Sequence, residues 1–200
     1  GNGKYSFTMP DGKVEVNGTV VKKSAQTFVD VPENAYYAPA VAWAVEKGVT
    51  EGTSATTFSP DAVCTRAQIV TFLYRAAGSP AVKSAVNPFT DVSASDYYYN
   101  AVLWAVENGI TTGTSETTFS PNESCTRAQC VTFLYRAVGS AATAKARFTD
   151  VSADAYYAPA VNWAVEKGVT EGTSATTFSP DAACTRAQIV TFLYRAAQVK

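Results

Sequence analysis

There is no histidine anywhere in the 200 residues. That removes the commonest general base and the commonest metal ligand before any motif is read. Charge is also scarce: only 16% of residues are charged, and 16 Lys and Arg against 17 Asp and Glu leave a net charge of −1. A chain so balanced has no bulk attraction for nucleic acid or an anionic membrane. No apolar run approaches the roughly 18 residues needed to cross a bilayer. A signal-peptide core is missing as well. The opening Gly1-Asn2-Gly3, without an initiator Met, reads as the edge of a trimmed piece of a longer polypeptide, so the missing signal says nothing of the parent's location. What remains is 46% apolar, ample material for a folded core.

Repetition dominates what is present. Phe28-Val29-Asp30-Val31 recurs as Phe89-Thr90-Asp91-Val92 and as Phe148-Thr149-Asp150-Val151. Trp43, Trp104 and Trp163 follow at a common offset of 15 residues, and Cys64, Cys125 and Cys184 at 36. Each Cys opens a Cys-Thr-Arg-Ala-Gln run. Segments 35–77 and 155–197 differ at two positions, Ala42 against Asn162 and Val63 against Ala183. One module of about fifty residues is used three times, at 28–78, 89–139 and 148–198.

Within a module the pattern reads helix, loop, helix. Tyr37, Val41, Ala44 and Val45 form a stripe at helical spacing, Pro39 suits a first turn and Gly48 a C-terminal cap. Residues 49–62 are rich in Thr, Ser, Gly and Pro and read as a structured loop. Thr65-Arg66-Ala67-Gln68 has the form of a capping box, and the strongly apolar Ile69, Val70, Phe72, Leu73 and Ala76 follow. A lone helix pair of this size buries too little surface to stand alone. Three second helices starting at Arg66, Arg127 and Arg186 are therefore expected to form a central bundle with approximate threefold symmetry and three inter-module grooves. The fold class is mainly α, and residues 28–200 make one three-repeat domain. Residues 1–27 differ: Tyr5, Phe7 and Met9 alternate, Pro10-Asp11-Gly12 signals a turn, and Val14 and Val16 alternate again. This reads as a short β-hairpin stub of a preceding domain or linker.

Phe-x-Asp-Val, a Trp-Ala helix, a loop closing on Phe-Ser-Pro, and Thr-Arg-Ala-Gln, in three tandem copies over 28–198, resemble the S-layer homology family. The resemblance implies a three-pronged, pseudo-threefold spindle that anchors exported proteins to the bacterial cell wall. It also implies a ligand, a secondary cell-wall polysaccharide often carrying pyruvate on N-acetylmannosamine. The family's signature Arg matches Arg66, Arg127 and Arg186, whose guanidinium forks suit a carboxylate and whose position in a first helical turn adds free amides and a positive dipole end. The family's opening Asp matches Asp30, Asp91 and Asp150, which would accept sugar hydroxyls or orient the Arg. Its loop Gly matches Gly52, Gly113 and Gly172, where a sugar ring could approach the backbone. This chain departs from the family in carrying Gln68, Gln129 and Gln188 where Glu is usual, and Cys before each Thr. Module 2 diverges further, with Thr112 for Glu51, Glu116 for Ala55, Asn122 for Asp61 and Cys130 for Ile69.

Plainer roles compete with these. The three Arg could be surface charges or partners of Asp30 and its equivalents, and the Asp could be turn residues. The Trp side chains are expected to pack in the core, and one Tyr of each of Tyr36-Tyr37, Tyr97-Tyr98-Tyr99 and Tyr156-Tyr157 to stay available. The four Cys show no Cys-x-x-Cys pair and no His, so four reduced, mostly buried thiols are expected rather than disulfides or a metal site. Asp30, Glu46, Glu51 and Asp61 raise the alternative of a carboxylate-based glycan hydrolase, but module 2 lacks two of them and no nucleophile has an evident base. The expectation is thus a non-catalytic, cofactor-free, extracellular wall-binding module, monomeric, with no nucleic-acid or membrane partner. The alternative is a protein–protein interaction module of a surface assembly.

Overall fold

The computed structural model describes residues 28–83, 86–145 and 147–199. The expected β stub at 1–27 lies outside them. Among the described residues there are six helices: α1 (Ala38–Glu46), α2 (Arg66–Ala76), α3 (Tyr99–Glu107), α4 (Arg127–Val138), α5 (Ala158–Glu166) and α6 (Arg186–Gln198). No helix among them is long and apolar enough to cross a membrane.

Helices α2, α4 and α6 begin where the capping boxes predict. Thr65, Thr126 and Thr185 accept the amides of Gln68, Gln129 and Gln188, and each Gln side chain returns to the Thr amide. Gln thus serves this cap as Glu would, since only an acceptor oxygen is needed. The apolar faces of the three helices pack on one another pairwise. Ile69, Val70, Cys130, Val131, Ile189 and Val190 are fully buried between them.

The short helices join across the repeat boundaries. Helix α1 packs on α6, α3 on α2 and α5 on α4. Each aromatic contact follows suit: Trp43 meets Tyr194 at 5.9 Å, Trp104 meets Tyr74 at 5.7 Å and Trp163 meets Tyr135 at 5.8 Å. A helix pair in space therefore belongs to two successive modules. The first module closes the ring on the last, in keeping with the expected threefold arrangement.

The ring is sealed at the helix starts. The amide of Cys64 donates to the Cys184 carbonyl (2.9 Å), that of Cys125 to Cys64 (3.0 Å) and that of Cys184 to Cys125 (2.8 Å). Isolated antiparallel bridges join Val63 to Thr185, Thr65 to Ser124 and Thr126 to Ala183. All four Cys are free and buried. Burial pushes the thiols of Cys64 and Cys125 up to about 12, so they stay protonated and small enough for the crowded axis. No group of three or more His, Cys, Asp or Glu among the described residues could hold a metal ion.

Candidate functional site

Two grooves each draw on all three modules. The groove over module 2, about 330 Å³, is lined by Arg66 from module 1, Tyr156 from module 3, and Thr112, Gln129, Thr132 and Arg136 from module 2. The groove over module 3, about 430 Å³, takes Arg127 from module 2, Tyr36 from module 1, and Glu171, Gln188, Thr191 and Arg195 from module 3. Gly113 lines the first and Gly172 the second, so the structure does bring signature Arg and loop Gly together.

The signature Arg residues are not surface charges. Arg66 and Arg127 are 3% exposed and Arg186 5%. Arg66 Nε donates to the Phe119 carbonyl (2.9 Å), Arg127 Nε to Phe178 (2.9 Å) and Arg186 Nε to Phe58 (2.8 Å). Each Arg thus crosses into the next module. Its guanidinium lies between two rings, as with Arg66, whose Cζ is 4.9 Å from the Phe119 centroid and 5.3 Å from that of Phe133. Such stacking suits a weakly hydrated planar cation. Burial lowers the pKa of all three from the ordinary 12.5, yet an Arg stays charged. Arg186 Nη2 donates to Thr50 Oγ1 at 3.3 Å. The Nη2 atoms of Arg66 and Arg127 are buried with no hydrogen-bond partner.

One expectation needs correction. The first helical turns hold no free amides for an anion. Arg66 N–H donates to the Glu123 carbonyl, Arg127 N–H to Ala182 and Arg186 N–H to Ala62, while the next amides reach Pro121, Pro180 and Pro60. The neighbouring module's loop crosses each helix start and takes these donors, so any ligand must rely on side chains.

Asp30, Asp91 and Asp150 stand behind the loop. The two oxygens of Asp30 accept the amides of Phe58 (2.8 Å) and Ser59 (2.7 Å), and Asp91 and Asp150 do the same at Phe119 and Ser120 and at Phe178 and Ser179. Ser59, Ser120 and Ser179 each hold φ of 57°, a left-handed conformation uncommon outside Gly. The carboxylate pins that turn. Desolvation works to raise the pKa of Asp30 and Asp150, but the amide hydrogen bonds outweigh it and hold both below 3.8. Gly52, Gly113 and Gly172 have φ of 91°, 86° and 92°. A Cβ on Gly52 would lie 2.5 Å from the Phe28 ring and 2.6 Å from the Thr57 carbonyl oxygen. These Gly residues are thus required by packing as well as by conformation.

Two Arg residues at the groove rims carried no motif of their own. Arg136 and Arg195 sit in the last turns of α4 and α6 and donate to the carbonyls of Ile110 and Val169. Tyr36 and Tyr156, 62% and 63% exposed, stand edge-on to Tyr37 and Tyr157. Their doubled-Tyr signal was visible, but the groove each one serves belongs to a different module.

Comparison with known proteins agrees with this layout. The S-layer homology domain profile matches residues 27–70, 88–129 and 147–190. The chain is 39% identical over 116 residues to an endoglucanase of Bacillus sp. (strain KSM-635), covering 58% of this chain and 12% of that enzyme. It is 33% identical over 115 residues to a surface-layer 125 kDa protein of Lysinibacillus sphaericus, 58% of this chain and 10% of the other. It is 28% identical over 181 residues to an S-layer protein of Bacillus thuringiensis subsp. finitimus, 86% of this chain and 21% of the other. The chain therefore spans about a tenth to a fifth of the length of these relatives.

Proposed function

The chain belongs to the S-layer homology family, and from that premise we propose that it is a non-catalytic anchor that captures an anionic secondary cell-wall polysaccharide in its inter-module grooves. Its setting is extracellular, at the cell surface, and its coarse role is anchoring there. The endoglucanase likeness covers too little of that enzyme to bring hydrolysis with it.

The observation that carries the ligand reading is the state of Arg66 and Arg127. A buried donor left unpaired costs about 1–3 kcal/mol, more when charged. Here two guanidiniums bear that cost while lining open grooves. An acid group in the groove would offset it. Because Nε is taken by a loop carbonyl, the acid would meet the Nη side of the fork, with Arg136 or Arg195 closing from the rim. Exposed Tyr156 or Tyr36 would stack on the sugar ring, and Gly113 or Gly172 would let it approach the backbone. At the junction of modules 3 and 1, Arg186 and Gly52 would take the equivalent roles, with Arg186 Nη2 first releasing Thr50. Asp30, Asp91 and Asp150 would act by holding the loops in shape. If two grooves engage one polymer, effective concentration raises avidity by roughly 10² or more.

The test is calorimetric titration with a pyruvylated N-acetylmannosamine glycoside and with the same sugar lacking pyruvate. Binding restricted to the acid form, weakened by salt, supports the reading. Binding of neither overturns it.

A further inference from the structure

The two grooves differ in charge. That over module 3 carries a carboxylate, Glu171, among its lining residues beside Arg127 and Arg195. The groove over module 2 has Thr112 at the equivalent position, and its lining holds two cations, Arg66 and Arg136, with no acid among them. Both 112 and 171 are exposed at the groove mouth, so neither choice is dictated by packing. Module 1 has Glu51 at the equivalent position, and Arg186 Nη2 reaches from module 3 to donate to Thr50 Oγ1 beside it.

Two nearby charges complicate the contrast without cancelling it. Glu123 interacts electrostatically with Arg66, but its side chain is exposed and does not line the groove. Arg147 lies across Glu171 in a separate shallow cleft, where its Nε donates to the Ala175 carbonyl at 2.7 Å. The module 2 groove thus combines an unpartnered buried guanidinium, a second Arg and no lining carboxylate.

Resting on the wall-glycan reading above, we propose that residue 112 sets the charge preference of this protein. The module 2 groove is its acid-selective site, and the module 3 groove is a mixed-charge site that holds the same saccharide more weakly. A saccharide carboxylate entering over Thr112 meets two cations and no lining carboxylate. One entering over Glu171 meets a like charge within the groove mouth. Two like charges a few ångström apart at a wet surface shift affinity by about tenfold.

The experiment titrates the full chain, its Thr112→Glu and Glu171→Thr variants, and the swapped double variant with the pyruvylated glycoside at low and high salt. The neutral glycoside serves as the control. Glu already occupies this position in modules 1 and 3, so Thr112→Glu adds a residue the module tolerates, and an unchanged Tm confirms folding. The expected result is that Thr112→Glu weakens the tighter site about tenfold and flattens its salt dependence. Glu171→Thr strengthens the weaker site by a similar factor, and the double variant exchanges the two. The neutral sugar should respond less than about twofold throughout. Wild-type binding that ignores Thr112→Glu overturns the inference and leaves the wall-glycan reading standing. Failure of the wild-type chain to bind overturns both.

Discussion

The axis of the molecule and the rims of its grooves follow different rules. Along the axis the three modules are interchangeable: the same Thr–Gln box, the same Cys-to-Cys amide ring and the same Arg-to-Phe bond recur with lengths within 0.2 Å for the ring. At the rims they diverge, with Thr112 in the module 2 groove where the module 3 groove has Glu171. A ring of three must close, so any change at one junction strains all three, and the axis can drift little. An exposed rim residue such as Thr112 or Glu171 faces solvent, so each groove can vary alone. Stability lives on the axis and, on the proposed function, selectivity lives on the rim.

The strongest way to break that division is at the signature Arg. Arg66→Ala removes an inter-module hydrogen bond, two ring contacts and a buried volume. It should cost about 3 kcal/mol, roughly 10 °C in Tm. Arg127→Ala and Arg186→Ala should cost nearly the same, read by thermal unfolding. If one of them is silent, the axis is not a closed ring. Loss of wall binding in these variants would by itself say little about ligand contact, because the fold is damaged first.

Next in size is Gly52→Ala. The added methyl meets Phe28 and a carbonyl in a left-handed turn, so a loss of about 2 kcal/mol is expected in denaturant titration. A neutral result would mean that Phe28 can move, and that the loop is not locked to the module's first residue.

Much of the axis was readable from sequence because its signals are local. A capping box spans four residues, and the helix starts at Arg66, Arg127 and Arg186 fall where it places them. The partner of α1 was not readable. Periodicity marks an apolar face but cannot say that it will be covered by α6 rather than by its own module's α2. The burial of Arg66 was not readable for a related reason: the rings of Phe119 and Phe133 that enclose it are both distant in sequence. The Asp30 carboxylate likewise depends on amides 28 and 29 residues away.

That long-range staple predicts a smaller, pH-dependent effect. The folded-state pKa of Asp30 and Asp150 lies below the ordinary 3.8. Their contribution is therefore complete above that value and is lost as pH falls through the folded-state pKa. Stability should decline on acidification below about pH 4. Asp30→Asn should lower stability at neutral pH by about 1–2 kcal/mol and flatten that decline. An acid limb that is unchanged in Asp30→Asn would show that the turn at Ser59 holds itself.

The smallest effect on the fold should come from the rim. Tyr156 is mostly exposed and stacks edge-on against Tyr157, so Tyr156→Ala should shift Tm by no more than about 2 °C. On the proposed function, the same change removes the sugar's stacking face in the module 2 groove and should weaken glycoside binding by about tenfold. Tyr36→Ala should do so for the module 3 groove alone, because each Tyr reaches only one of them. Measured side by side with Arg66→Ala, the pair separates the two regions: the Arg variant moves stability, the Tyr variants move binding. If Tyr156→Ala destabilises the chain as much as Arg66→Ala does, the rim is part of the ring, and the grooves cannot vary independently.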